Sequence, residues 1–499
     1  MDMKRIVLFL CILCLLCQVS GCKNTIQNKK EENGKVDSQT DPSIKGDDPL
    51  TDEESTSAQG SSDTQTPSTG AQTPSTGAQT PSPTTPTTPT TPKPPVSPNP
   101  NGSEQANFGS SEVVEVEEIE EVEIPKVEGE IVSVTSHTAL AREQYYQYSG
   151  LNASEKQIYQ AIYDGIKQCE TYINLKSYGC NKETLDKVYH AVTGDNPQFF
   201  YLTNLYACSS WNSRIDKLIL LYMDGTTSDV LDDGRVKANA NRNTISRQIA
   251  SFNSKISEIL QKISPSSSQI QKEKRIYDYL QDNIAYDHQA AGLIYSDSAN
   301  ASHAFDVYGA ACEGKAVCEG YAELFQYLCY CVGINATQVS GTANGGPHMW
   351  NTVCIDSNWY MLDVTWDDSE TAGMHYYTYF NLTANEMAAA NHIPSTTGVR
   401  VPSCTSKTHA FYNHFALYVQ DLKATPSNYK KVIDYVVSQG EKTLCIYGEA
   451  DSEAMQDYIS NQIFGSKSEV QKYIKSKGYK ISFESTYYIS GKYFYIKIK

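Results

Sequence analysis

The sequence predicts an α+β fold. A helix packs on an antiparallel sheet, mixed α/β regions flank that core, and a disordered N-terminal stalk precedes it. Three observations lead there. From Cys318, apolar side chains recur at helical spacing (Tyr321, Leu324, Phe325, Leu328, Val332), and Gly333 follows as a natural stop. Residues 349–355 and 359–365 are two extended runs around the turn residues Asp356, Ser357 and Asn358. Residues 23–130 are too polar and too rich in proline to bury a core.

The chain has 499 residues, of which 39 % are hydrophobic and 20 % charged. That suits a soluble protein of two or three domains. The net charge is −17, and the first 130 residues alone contribute −12 of it. No block of Lys/Arg is long enough to track a phosphate backbone, which argues against nucleic acid as a partner.

Residues 1–21 read as an export signal. Lys4 and Arg5 precede a twelve-residue apolar run, 6–17, whereas a spanning helix needs roughly 20 residues. Val19-Ser20-Gly21-Cys22 resembles the lipobox of bacterial lipoproteins. The resemblance implies cleavage before Cys22, a diacylglycerol thioether on its sulfur, and anchorage to the outer face of a bacterial cell membrane. The alternative is an ordinary secreted protein in which Cys22 is incidental. Residues 22–130 form the linker. TPSTGAQ occurs twice in succession, at 66–72 and 73–79, and eleven prolines lie between Pro67 and Pro100. This composition favours extended polyproline II, a stalk between membrane and body. Its end, 112–130, alternates Val/Ile with Glu and reads either as an edge strand or as a solvated arm.

Residues 131–265 form a mixed α/β region with no assignable function. Asn152 or Ser154 caps a helix, 199–209 and 217–223 are strands around Asn212 and Ser213, and 243–263 is a helix stopped by Pro265. The core spans 266–405 and opens with a helix at Ser268, which has capping-box spacing to Gln271. Residues 406–499 form a small α/β region. It has helices over 429–438 and 452–475, a strand over 443–447, and a hairpin joined at Ser490-Gly491. Its many tyrosines read as packing of a sheet face rather than as a glycan surface.

Of fourteen cysteines, three leave with the signal and Cys22 is the lipid site; the remaining ten are too sparse for a disulfide framework. Cys329, Cys331 and Cys354 sit in apolar runs as small hydrophobes. Cys318 differs because it opens a helix. Unpaired N–H groups and the positive end of the dipole favour a thiolate there, and Lys315 adds charge of the same sign. His348 follows Gly345-Gly346-Pro347 and starts one strand; Asp363 lies on the next. A His and an Asp on neighbouring strands can form the pair that activates a thiol. A tight turn at Ser357-Asn358 sets Asp363 opposite Thr352, several residues along from His348, so a bulge, a longer turn or strong twist is needed to join them. Trp350 and Trp366 are wall residues, and Asp367 and Asp368 are structural turn acids. His288, His303 and His375 have no partner pattern.

The three blocks are VCEGYA with Cys318, HMWN with His348 and LDVTWDD with Asp363. Together they resemble the transglutaminase-like superfamily, whose fold is papain-like. The resemblance covers roughly 268–385. It implies a Cys318–His348–Asp363 triad, a thioester formed from an amide donor, and water or an amine as acceptor. It also implies an oxyanion hole built from the backbone N–H of Cys318 and an upstream side chain. No Gln or Trp lies in the dozen residues before Cys318, which leaves the Tyr308 hydroxyl as the candidate. The expected function is that of a cell-surface cysteine acyl-transfer enzyme acting on a protein or peptide, cell-wall peptide included, with no metal or organic cofactor. The alternatives are an amine-accepting, cross-linking transglutaminase and a catalytically silent module that binds wall polymer or protein.

Overall fold

The computed structural model describes residues 113–117, 137–223, 242–263, 268–293, 302–368 and 373–499. The expected signal peptide, Cys22 and all of the linker except 113–117 lie outside the described residues.

Strand β1, Val113–Glu117, comes from the acidic stretch and takes the edge-strand form. It pairs in parallel with β3, Leu202–Trp211, in a sheet that continues through β4, Arg214–Tyr222, to β2, Tyr172–Asn174. The β3–β4 turn is Asn212-Ser213, both at positive φ (49° and 61°). That conformation matches the right-handed twist of the strands it joins. The helix Ala153–Lys167 is capped by Asn152, in a capping box with Glu155. A second helix, Lys182–Asp195, had no clear signature in the sequence; Asn181 caps it.

The helix Gln269–Asn283 begins at Ser268 as expected, but the Ser268 side chain makes no capping bond. Its apolar face is Ile270, Ile276, Tyr277 and Leu280. Two short strands follow, β5 (Ala285–Tyr286) and β6 (Lys315–Ala316), paired in parallel. The central helix, Cys318–Cys331, then packs on β7 (Asn335–Ala343) and β8 (Gly346–Ile355), in the antiparallel sheet β10-β7-β8-β9. Strands β9 and β10 are Asn358–Leu362 and His392–Pro394. Gly333, at φ 80°, ends the helix. Ile334 N–H reaches Cys329 O and Gly333 N–H reaches Tyr330 O, which satisfies the last carbonyls.

The central helix is not amphipathic in place, because almost every residue of it is buried. A helix enclosed on all sides must satisfy its own polar groups. Gln326 does so for its amide hydrogens, which go to Gly194 O at 2.7 Å and to the Tyr330 hydroxyl at 2.8 Å, while its Oε1 has no partner among the described residues. One continuous apolar cluster runs through Ile162, Val188, Phe252, Tyr277, Leu324, Val353 and Tyr495. The fold is therefore α+β around this helix and its antiparallel sheet.

The C-terminal sheet has the order β11-β12-β14-β13, with β11 Ala416–Val419, β12 Thr443–Gly448, β13 Phe483–Ser490 and β14 Tyr493–Ile498. The helix expected over 452–475 is broken. Ser452–Tyr458 passes through a wide turn, Ile459–Ile463, and Glu469–Lys477 starts afresh under a Ser468 cap. Tyr376, Tyr447, Tyr493 and Tyr495 are buried with their rings in contact, so these tyrosines pack the fold.

Lys274 joins this region to the core. Its ammonium is 2 % exposed and meets Asp278 at 2.7 Å and Glu441 at 2.9 Å. The Tyr377 ring lies 4.9 Å from it. Burial would lower the affinity of this group for its proton, but the two carboxylates reverse that and hold the charge. Lys274→Met leaves both acids without their cation. Urea denaturation should then show a loss of about 3–5 kcal/mol, the cost of breaking a buried pair from one side. Adding Asp278→Asn and Glu441→Gln should recover most of it.

Candidate active site

Cys318 is the first residue of the central helix, is 3 % exposed, and touches Ala322 and Met349. The first intrahelical bond here runs from Tyr321 N–H to Val317 O. The N–H groups of residues 318–320 therefore precede the hydrogen-bonded ladder and point out of the helix start. Asn351, on β8, ties this end of the helix to the sheet by donating to Ala322 O at 2.9 Å.

His348 lies on β8 opposite Gly341, and Asp363 immediately follows β9. The expected obstacle between them is removed by the turn. Its residues are Asp356-Ser357, both at positive φ (46° and 66°), and not Ser357-Asn358. Ile355 pairs with Asn358 and Asn351 with Leu362. Asp363 therefore falls opposite Trp350 instead of Thr352, on the face of His348 and two residues from it. No bulge is needed. The imidazole donates from Nε2 to Asp363 Oδ2 at 2.7 Å. The Cys318 thiol acts on the same ring, and with Nε2 taken by Asp363 the nitrogen left for it is Nδ1. Asp363 Oδ1 accepts the Trp366 backbone N–H at 3.1 Å.

The electrostatics follow from this geometry. Burial alone would lower the pKa of His348. The charges and hydrogen bonds of Asp363 and Cys318 overcome it and push the imidazole up to about 10. Burial would raise Asp363, but His348 and His392 hold it well below the usual carboxylate range. Trp350 and Trp366 wall the imidazole, with ring centroids 6.0 and 5.7 Å away.

The structure thus brings Cys318, His348 and Asp363 together. It does not bring Tyr308 or Lys315 to the thiol. Tyr308 packs against Phe200 and His303. Lys315 is half exposed and pairs with Asp287 at 2.9 Å. Asp367 accepts from the Tyr277 hydroxyl and from the N–H groups of Thr378 and Tyr379, a structural use. Two neighbours of the site lacked a sequence signal. Tyr286, on β5, is held protonated far above its ordinary range by burial and by the charges of Cys318 and Asp363. His392, on β10, places Nε2 2.9 Å from the same Asp363 oxygen that His348 uses. The three donor atoms lie close enough to invite a metal. However, contacts of 2.7 and 2.9 Å are hydrogen bonds; ligands around a tetrahedral ion with bonds of about 2.0–2.1 Å sit roughly 3.3 Å apart.

A cleft begins at Met349, beside Cys318, and is lined by Tyr189, Glu319, Glu323, Gln338 and Ser340. The buried Tyr189 hydroxyl and Gln338 Nε2 have no hydrogen-bond partner among the described residues.

Residues 257–364 match the family model of the transglutaminase-like superfamily, a range that contains Cys318, His348 and Asp363 and defines a transglutaminase-like core. Among curated proteins, the kyphoscoliosis peptidase of Mus musculus is 25 % identical over 161 residues, which are 29 % of this chain and 23 % of that protein. The chain thus spans about a quarter of that relative's length. Among solved structures, a Cytophaga hutchinsonii protein provisionally named as a cysteine protease is 23 % identical. That likeness covers 23 % of this chain and 37 % of the other, with a TM-score of 0.19. A structure described as a TGase is 17 % identical over 38 % of this chain and 48 % of its own, with a TM-score of 0.22.

The His348 shift gives a sign for stability against pH. Its folded pKa of about 10 lies above the ordinary 6.5. Its contribution is therefore fully present below pH 6.5 and is lost as pH rises through 10. Urea melts of His348→Gln should show a larger deficit against wild type at pH 6 than at pH 10. A constant deficit would mean that the pairing with Asp363 and Cys318 is not what stabilises the ring.

Proposed function

We propose that the chain is a cysteine acyl-transfer enzyme that forms a thioester from a peptide or side-chain amide. The observation that carries this reading is the His348 imidazole, which donates to the buried Asp363 carboxylate at 2.7 Å and is acted on by the Cys318 thiol. Cys318 opens the central helix, where the positive end of the helix dipole favours a thiolate. Cys318 Sγ, as the thiolate, attacks the carbonyl carbon. The C–S bond forms, the C–N bond breaks, and the His348 proton goes to the leaving nitrogen. Water or an amine then attacks the thioester, its proton passes to His348, and the thiolate is restored. Asp363 holds the imidazole in the tautomer this requires.

The backbone N–H of Cys318 and the Tyr286 hydroxyl are the proposed oxyanion donors. Tyr286 takes the role because it pairs with Ala316, two residues before Cys318, and stays protonated under the charges of Cys318 and Asp363. The cleft beside Met349 receives the donor peptide, with Tyr189 and Gln338 offering it their unused hydrogen bonds. The mouse relative is named a peptidase, and amide cleavage is chemistry of that kind. Lys4, Arg5, the apolar run 6–17 and Cys22 support export and lipid anchorage at a bacterial cell surface. A protein or peptide substrate exposed there, cell-wall peptide included, fits that placement.

Iodoacetamide alkylation of the full chain, followed cysteine by cysteine across pH 4–10, tests the central claim. Cys318 should be alkylated faster than the other cysteines at neutral pH, and His348→Ala should abolish that advantage. A Cys318 that reacts only as an ordinary thiol would overturn the proposal. With an acyl donor in hand, Tyr286→Phe should slow acylation by roughly 10²–10³, as expected for the loss of one oxyanion donor. An unchanged rate would remove Tyr286 from the site.

A further inference from the structure

His392 is fully buried, and its contacts exceed what packing requires. Nε2 lies 2.9 Å from Asp363 Oδ2, and Nδ1 lies 3.0 Å from the Ala390 carbonyl oxygen. Both oxygens are acceptors. A neutral ring has one N–H and would turn a bare nitrogen lone pair onto one of them, whereas an imidazolium satisfies both. Three aromatic rings surround it: Trp366, Trp350 and Tyr379, with centroids 4.4, 5.2 and 5.4 Å away. All three are within the roughly 6 Å reach of a cation–π contact. Gly341 lets β10 come in this closely. A Cβ there would meet Ile393 O at 2.2 Å and the Trp350 ring at 2.8 Å.

We propose that His392 is a positioning residue of this site: a buried imidazolium that shares the Asp363 carboxylate with His348 and keeps the site electrically neutral through the reaction. The proposal rests on the acyl-transfer reading above. The charges that face His392 are His348 from β8 and Asp363 from the end of β9, with the Tyr379 phenol beside them. On the helix Ala384–Ala389, the Glu386 carboxylate is engaged with Thr383 and Lys407.

With the thiolate formed, the site holds Cys318 and Asp363 as anions and His348 and His392 as cations. In the thioester, Cys318 is neutral and His348 has given up its proton, so Asp363 and His392 remain as a pair. Both states are neutral. Without His392, each would bury one uncompensated negative charge, which a low-dielectric interior disfavours. The second cation also weakens the hold of Asp363 on the His348 proton. At a ring separation of 5.6 Å, Coulomb's law with an effective dielectric of about 20 makes this worth about two pH units. His348 is thereby a readier acid toward a leaving amine.

The test uses the full chain, His392→Gln, which can still donate one hydrogen bond but carries no charge, and His392→Ala. The first readout is the pH profile of Cys318 alkylation. The second is the rate of Cys318 acetylation by p-nitroacetanilide against p-nitrophenyl acetate; the anilide needs a proton on its leaving nitrogen and the phenolate does not. In His392→Gln both limbs of the profile should move up by about one to two pH units, since removing a cation raises the pKa of each neighbour. The anilide-to-ester rate ratio should fall by about tenfold or more. A His392→Gln profile that superimposes on wild type, with only His392→Ala impaired, would reduce His392 to packing and leave the acyl-transfer reading intact. An ordinary thiol at Cys318 in the wild type would overturn both. Should neither variant fold, ¹⁵N-histidine spectra of the wild type decide. Both ring nitrogens of His392 should carry protons at neutral pH, and a bare nitrogen there overturns the proposal.

Discussion

A carboxylate removed from water must be met by donors from the protein, and the burial of Asp363 organises this molecule around that need. Oδ2 accepts from two imidazoles and Oδ1 from the Trp366 backbone. The residue's own N–H donates to Tyr379 O, and its carbonyl accepts the Tyr277 hydroxyl. One residue therefore gathers β8, β10, the turn after β9, the segment near Tyr379 and the helix that bears Tyr277. An unpaired charge in such a place would cost several kcal/mol. The strands that bring His348 and His392 to it are thus bound to the stability of the carboxylate as well as to any chemistry it supports.

The elements whose cause is local were legible in the sequence. A helix starting at Cys318 and stopping at Gly333 follows from apolar spacing and a glycine at positive φ. The facing strands of His348 and Asp363 follow from extended runs and a turn. What was not legible depended on distance or direction. Moving the turn back by one residue, to Asp356-Ser357, shifted the pairing by two and closed a gap that had seemed to need a bulge. Lys315 is near Cys318 in sequence, but its ammonium turns to Asp287. His392 is 29 residues beyond Asp363 in a three-residue edge strand, and a single histidine in so short an element has no pattern to reveal it. The Lys274–Glu441 pair spans 167 residues and has no local trace at all.

The central helix shows how the flanking regions take part. The sheet covers one side of it, and on another the helix Lys182–Asp195 approaches closely enough for Gly194 O to receive a Gln326 amide hydrogen. The region before the core therefore supplies part of the wall of the cleft, through Tyr189 and its neighbours. Gln326 lies between the apolar residues Phe325 and Tyr327 in this helix, and the carbonyl it meets accounts for its amide hydrogen.

The β8–β9 hairpin divides freedom from constraint in an unusual way. Its tip, Asp356-Ser357, is exposed, and extra residues inserted there lengthen a loop without altering which residues pair. Along either arm the opposite holds: one residue gained or lost between His348 and the tip, or between the tip and Asp363, turns the carboxylate to the far face of the sheet. The site thus depends on a count of peptide units as firmly as on the identity of its histidine and aspartate, and only the tip, about 20 Å along the strand from Asp363, leaves that count free to change.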